Sequence, residues 1–349
     1  MIQFSERLDT LAGSGKILHN MLRAYKTGDS KKNIIDGIIE KAAIENPWFS
    51  QENIVYAFAN IVTDLEKNNL DQWIEKYKGI DSFRDEKKVG VIMAGNIPFV
   101  GWRDMLAVLL SGNRLVAKLS ARDKVLIKFI AEVIVSVNPA FAKYIQFEEG
   151  GLGNFDAIIA TGSNNSSRYF DYYFGKYPNI IRKNRNSVAV ISQNEKDENL
   201  KLLADDVFIY FGLGCRNVSK IFVPVNFNFE RLFEAFAKYR DIINHNKYAS
   251  NYVYNRAVFL VNRHDHLDNG FLLVKEDTEI ASPVGVLYYE IYNDIDNVKE
   301  KIFNNKNNIQ CVVSASLYSN KTIKFGSSQK PELCDYADDI DVLKFLINL

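Results

Sequence analysis

Residues 88–119 read KVGVIMAGNIPFVGWRDMLAVLLSGNRLVAKL, and their pattern decides the fold. Val89-Gly90-Val91-Ile92-Met93-Ala94 is a continuous apolar run, the mark of a strand covered on both faces. Arg103 to Leu110 has the length and spacing of a helix, and Ser111-Gly112-Asn113 supplies a glycine where such a helix must turn out of its last carbonyls. Leu115-Val116-Ala117-Lys118-Leu119 is a second apolar run. Strand, helix and strand in this order form a βαβ unit, so the two strands run parallel.

The same alternation continues outward. A helix is predicted from about Asp123 to Val137, stopped by Asn138-Pro139, because the residue before proline is pushed out of helical geometry. Asp156 to Ala160 reads as a third strand ending at Thr161-Gly162-Ser163, and Val188 to Ile191 as a fourth. A helix from about Glu198 to Phe211 leads to Cys215. A strand at Lys220 to Val223, a helix at Phe229 to Arg240 and a strand at Ala257 to Val261 follow. Before Lys88 the pattern is helical, with apolar residues at three- and four-residue steps (Phe4, Leu8, Leu11; Ile54, Ala57, Phe58, Ile61, Leu65). The expected fold class is α/β: two Rossmann-like doubly wound domains with a helical N-terminal segment over residues 1–80, divided at about residue 190.

Bulk properties narrow the function. A chain of 349 residues can build two cores, and 47% hydrophobic with 25% charged residues is ordinary for a globular protein. The formal net charge of +0 gives no field that would gather nucleic acid or an anionic membrane. Cys215, Cys311 and Cys334 are widely spaced, with no CxxC pair, which argues against a disulfide framework and a zinc site and for a reducing compartment. No apolar run approaches the roughly 20 residues that span a bilayer, and charge enters the N-terminus too early for a secretory signal. The expected location is cytoplasmic.

Several residues can carry chemistry. Cys215 lies in FGLGCRNVSKIFVP (Phe211–Pro224), where Gly212 and Gly214 leave the thiol open to approach, although free cysteine is also a common small core residue. Asn96 follows the first strand and offers an amide to a developing oxyanion, or simply turns the chain before Pro98. Lys118 ends the second strand, either as a cofactor contact or as a solvated strand end. Gly162 and Ser163 open a helix after a buried strand, a geometry that suits pyrophosphate and is equally that of a common N-cap. Gly13-Ser14-Gly15-Lys16 lacks the spacing of a phosphate loop, and His264 and His266 lack further metal ligands, so no metal site is expected. Phe170, Tyr172, Tyr173, Phe174 and Tyr177 are expected to pack a helix, because no basic stripe accompanies them.

Taken in order, these segments resemble the aldehyde dehydrogenase superfamily, and within it the bacterial acyl-CoA reductase branch of the LuxC type. AGNIPF looks like the family's PWNFP segment, whose asparagine serves the oxyanion hole. Ser111 to Asp123 looks like TGNxVVxKxA, whose lysine contacts the adenosine ribose; ATGS (Ala160–Ser163) looks like FTGS, beside the dinucleotide. GLGCRNVSKIFV matches GQxCxxxxRxFV without a gap and puts Cys215 on the catalytic cysteine. Glu279-Ile280-Ala281-Ser282-Pro283-Val284 looks like ExFGPV, whose glutamate holds the nicotinamide ribose, with Ala281 in place of the aromatic. Two departures matter. Arg182 falls where oxidising members carry the glutamate that activates hydrolytic water, and Ala121 with Arg122 replaces a glutamate that would repel a 2′-phosphate.

The resemblance implies an aldehyde dehydrogenase-like fold with a nucleotide-binding domain over 1–190 and a catalytic domain over 191–349. It implies NADPH-dependent reduction of an acyl-CoA thioester to an aldehyde through a thioacyl-cysteine on Cys215, with Asn96 at the oxyanion. Lys118, Arg122, Gly162, Ser163 and Glu279 would hold the cofactor, NADPH or alternatively NADH, with coenzyme A entering as part of the substrate. A homo-oligomer, as a dimer, is expected. An acylating aldehyde dehydrogenase, an acyl-phosphate reductase and a non-reducing acyl-transfer subunit remain open alternatives.

Overall fold

The computed structural model describes residues 2–28, 34–81, 85–316 and 322–349. The chain divides into two compact units, Met1–Lys183 with Glu332–Leu349, and Asn184–Pro331. The expected division at residue 190, with 191–349 as one domain, is therefore shifted, and the C-terminal segment returns to the first unit. Side chains explain the return. The Asn113 amide donates to the Leu346 carbonyl at 3.1 Å, and Arg103 donates to the Glu332 carbonyl at 2.7 Å. Trp73 and Tyr77 bond the Tyr336 hydroxyl, and Tyr77 also reaches Asp341. Val342, Leu343 and Leu346 are buried alongside.

The first unit opens with four helices, α1 (Phe4–Thr27), α2 (Ile34–Glu45), α3 (Gln51–Asp64) and α4 (Lys67–Ile74). In α3 the buried positions Ile54, Ala57, Phe58 and Ile61 repeat at three and four residues, and Ser50 caps the start by accepting from the Asn53 N–H. Gly13-Ser14-Gly15-Lys16 lies inside α1. A Cβ on Gly15 would come 2.6 Å from the Leu65 Cβ, so the glycine serves close helix packing.

Behind these helices β1 (Lys88–Ile92), β2 (Arg114–Lys118), β3 (Ile145–Glu148), β4 (Ala157–Thr161) and β5 (Asn179–Arg182) form a parallel sheet in the order β3-β2-β1-β4-β5. Between them run α5 (Trp102–Ser111), α6 (Val125–Val137) and α7 (Asn164–Phe174). The crossovers through α5 and α6 proceed in one direction from β1, and the one through α7 in the other. Right-handed connections therefore place them on opposite faces. On α7, Phe170 and Phe174 pack with Phe155 and Tyr177, as expected. Tyr172 and Tyr173 do not: they are 82% and 61% exposed, because they project from the helix face turned away from the sheet.

The second unit holds β6 (Asn186–Val190), β7 (Val218–Pro224), β8 (Leu267–Asp268), β9 (Leu273–Glu276), β10 (Val286–Tyr292), β11 (Ile309–Val313) and β12 (Thr322–Ile323), in the order β12-β11-β6-β7-β10-β9-β8. Only the β8–β9 pair is antiparallel among the described strands. Its helices are α8 (Asp197–Phe208), α9 (Phe229–Phe236), α10 (Asn246–Val261) and α11 (Ile295–Asn304), and α12 (Val342–Ile347) closes the chain in the first unit. The strand expected at Ala257–Val261 is instead the last turns of α10. Burial falls on Tyr248, Tyr252, Asn255 and Phe259 at helical spacing, while Val261 is 82% exposed. A short apolar run fits either periodicity, and the longer stretch decides it.

Candidate active site

In the first unit the chain steps from β1 to β2 to β3, then crosses back to place β4 on the other side of β1. This reversal makes a topological switch point at the carboxyl ends of β1 and β4, the place where parallel sheets of this kind bind ligands. Ile92, the last residue of β1, pairs with Lys118 on one side and Ala160 on the other. Lys118 therefore ends β2 at this edge, Gly162 and Ser163 leave β4 beside it, and Asn96 and Arg122 occupy the loops that follow β1 and β2. Asn96, Lys118, Arg122 and Ser163 are all exposed there.

Local sequence explains the shape of this edge. The Ser163 hydroxyl accepts from the Ser166 N–H at 3.2 Å and caps α7, whose first N–H groups and positive dipole end favour an anion. A Cβ on Gly162 would lie 2.8 Å from both the Phe170 ring and the Ser166 Cβ, so only glycine lets β4 enter the helix so closely. A glycine turn at the switch point and a capped helix N-terminus suit a pyrophosphate, and with Lys118 at the neighbouring strand end the residues present are compatible with a dinucleotide.

In the second unit Cys215 is half-buried and precedes β7, so it stands at the amino end of that strand rather than at a carboxyl end. The chain reaches it through Tyr210, Phe211 and Gly212 at φ of +56°, +58° and +77°. Two bulky side chains in the left-handed region need an external hold. Asn217 provides it: its Oδ1 accepts from the Gly214 N–H at 2.8 Å, and its Nδ2 donates to the carbonyls of Ile209 (2.7 Å), Asp206 (3.1 Å) and Val207 (3.3 Å). The Cys215 carbonyl itself accepts from the Ser187 hydroxyl at 3.1 Å, and Arg216 donates to the Ser328 carbonyl at 2.7 Å. Nearby, Asp206 accepts from the N–H groups of Gly326 and Ser328, and burial pushes its carboxyl up to about 6 against those bonds.

The same unit brings Glu279 towards this strand. Lys220, fully buried five residues beyond Cys215, donates to the carbonyls of Asp277 and Thr278 at 3.0 and 2.9 Å and to the Glu290 carboxylate at 2.6 Å. Ser219 donates to the Ile280 carbonyl at 2.6 Å. The turn that presents the exposed Glu279 is thus tied on both sides to the start of β7. Burial alone would raise the Glu290 carboxyl, but bonds from Lys220 and Lys301 overcome it and hold the group below its ordinary value.

Arg182 ends β5 and is buried against Asp104 of α5 in a two-bond pair of 2.7 and 2.9 Å. Asp104, Ser187, Asn217, Ser219 and Lys220 are the supporting residues that the motifs do not announce. Asn217 alone carried a signal, as a turn-forming residue two positions past the cysteine. Among the described residues no helix is long and apolar enough to cross a membrane.

Aldehyde dehydrogenase 21 from Physcomitrella patens, solved with succinate, superposes with a TM-score of 0.67 at 11% identity, covering 99% of this chain and 88% of its own. An aldehyde dehydrogenase from Bacillus cereus in complex with NAD+ gives 0.64 at 13% identity, covering 92% and 76%. One from Mycobacterium tuberculosis, also with NAD+, gives 0.60 at 15% identity, covering 85% and 70%. These likenesses establish the aldehyde dehydrogenase fold. No curated protein matches by sequence. The acyl-CoA reductase (LuxC) family model matches residues 41–243, more than half of the chain and the whole span from Asn96 to Cys215, and the chain belongs to that family.

Proposed function

We propose that this protein reduces an acyl-CoA thioester to an aldehyde at the expense of NADPH, with Cys215 as the nucleophile. The observation that carries the reading is Cys215 itself, half-buried on a turn whose backbone is fixed on both sides, inside the span that matches the family. The Cys215 thiolate attacks the thioester carbonyl, and the oxyanion that forms takes hydrogen bonds from the Asn96 amide and the Cys215 N–H. Coenzyme A departs as the thiolate and takes up a proton, leaving an acyl group on Cys215. When bound, the nicotinamide supplies a hydride to that acyl carbon. The resulting thiohemiacetal collapses to the aldehyde and returns the cysteine thiolate.

Lys118, Gly162, Ser163 and Glu279 would hold the cofactor, and Arg122 would meet the 2′-phosphate that distinguishes NADPH. Arg182 supports transfer to or from a thiol over hydrolysis. It occupies the place of the water-activating glutamate by resemblance, and its guanidinium is committed to Asp104, so no general base stands there.

The test follows absorbance at about 340 nm, the reduced nicotinamide band, with a panel of acyl-CoA thioesters. Oxidation that requires acyl-CoA and disappears in Cys215→Ala is the expected result. Turnover retained in that variant refutes the mechanism. Acyl label trapped on Cys215 without NADPH oxidation would instead make the chain an acyl-transfer protein.

A further inference from the structure

The turn that carries Asn96 is an expensive piece of backbone. Phe99, three residues on, is buried and sits at φ +58°, where a bulky side chain crowds its own carbonyl. Gly95 is pressed so closely against the loop after β2 that a Cβ would lie 2.5 Å from the Ser120 Oγ. Two side chains hold the turn at its ends. Asn46, buried after α2, donates to the Gly95 carbonyl at 3.2 Å. Asp123, 3% exposed, accepts from the Phe99 N–H at 2.8 Å through Oδ2.

Asp123 is an unusual choice for a plain tie. Its second oxygen, Oδ1, is buried and finds no hydrogen-bond partner among the described residues. A buried carboxyl with an idle oxygen costs more than a neutral group would. Burial pushes its titration up to about 8, with the Phe99 N–H pulling down and Glu45, at the end of α2, pushing up. A neutral carboxyl therefore prevails near neutrality, and costs of this kind persist where a strained conformation is needed.

We propose that Asp123 is a positioning residue for the reaction: through the Phe99 N–H it holds the Gly95–Phe99 turn in the strained form from which the Asn96 amide acts on the oxyanion. This rests on the reading of Asn96 given above. A displacement of about 1 Å in a catalytic donor is enough to cost on the order of 100-fold.

The experiment measures kcat and KM for an acyl-CoA in Asp123→Ala, Asp123→Leu, Asp123→Asn and Asn96→Ala, and in the double variant Asp123→Leu/Asn96→Ala, with thermal unfolding as the check on folding. Leucine fills the space without an acceptor and is read if alanine fails to fold. The expected result is a kcat lower by about 10- to 100-fold with KM within about twofold. Asparagine, whose amide oxygen still accepts from Phe99, regains most of the loss. The double variant falls no further than Asn96→Ala alone, because Asp123 acts only through that amide. Wild-type kcat in the folded Ala or Leu variant overturns the proposal, as do losses that asparagine does not rescue and losses additive with Asn96→Ala. If Asn96→Ala itself keeps full kcat, it is the oxyanion reading that fails.

Discussion

Asn217→Ala tests whether the Cys215 turn is held from outside. Asn217 is 1% exposed and makes two short bonds, to the Gly214 N–H at 2.8 Å and the Ile209 carbonyl at 2.7 Å, with two longer ones at 3.1 and 3.3 Å. A hydrogen bond contributes about 1 kcal/mol net, and an orphaned buried group costs about 1–3 kcal/mol. Counting the two short bonds fully and the longer pair as one more gives a loss of about 3 kcal/mol. For a unit of this size, that lowers the melting midpoint by about 6–12 °C. Without the hold, Tyr210 and Phe211 can leave the left-handed region, each relieving about 1–2 kcal/mol, so the thiol shifts as well. Turnover should therefore fall by on the order of 100-fold. Asn217→Asp sharpens the test: it keeps the acceptor for Gly214 but turns a carboxylate towards three carbonyls, and should do at least as much harm. Melting curves, NADPH oxidation and the alkylation rate of Cys215 by iodoacetamide read these effects. Both variants melting within about 2 °C of the parent, with unchanged turnover and alkylation, would refute the argument.

Three further outcomes follow from buried charge. Lys220→Met frees the Asp277 and Thr278 carbonyls and leaves Glu290 with Lys301 alone, so it should destabilise by about 3 kcal/mol and raise the KM for NADPH more than it lowers kcat, as steady-state kinetics will show. Arg182→Met leaves Asp104 buried and unpaired, at a cost of about 3–5 kcal/mol in denaturant unfolding; Arg182→Met/Asp104→Leu should recover most of it. Asp123 gives the pH dependence. Its carboxyl is raised from 3.8 to about 8, so the folded state holds the proton more tightly than the unfolded chain throughout that window. Stability is therefore present at low pH and lost as pH climbs towards 8, by up to a few kcal/mol. Asp123→Asn should flatten the slope of denaturation midpoint against pH over that window.

Three strands of the first unit, β1, β2 and β4, were legible because each is a local apolar run that ends where the glycine, asparagine and lysine signals stand, whereas β3 and β5, short and only partly buried, were not read. Ala257–Val261 was misread for the same reason: five apolar residues carry no period of their own, and only the burial of Tyr248, Tyr252 and Phe259 reveals the helix. Cys215 announced itself by its glycines and by the order of segments around it. The residues that fix the reacting groups gave no such sign. Ser187 reaches the Cys215 carbonyl from 28 positions away, Asp123 the Phe99 N–H from 24, and Lys220 the Asp277 carbonyl from 57. Distance is only part of the difficulty. Each of these bonds ends on a backbone group, and every residue type offers the same N–H and C=O apart from proline. The partner therefore leaves no mark in the sequence, and a supporting residue looks like any buried polar side chain until the fold shows which strained turn it holds. Substitutions at such positions should accordingly read out through the geometry of Asn96, Cys215 and Glu279 rather than through loss of a chemical group. That is why the conservative variants, Asn for Asp at 123 and Asp for Asn at 217, are predicted to behave oppositely: the first keeps the bond from the Phe99 N–H, and the second keeps the bond from the Gly214 N–H but loses all three to the carbonyls.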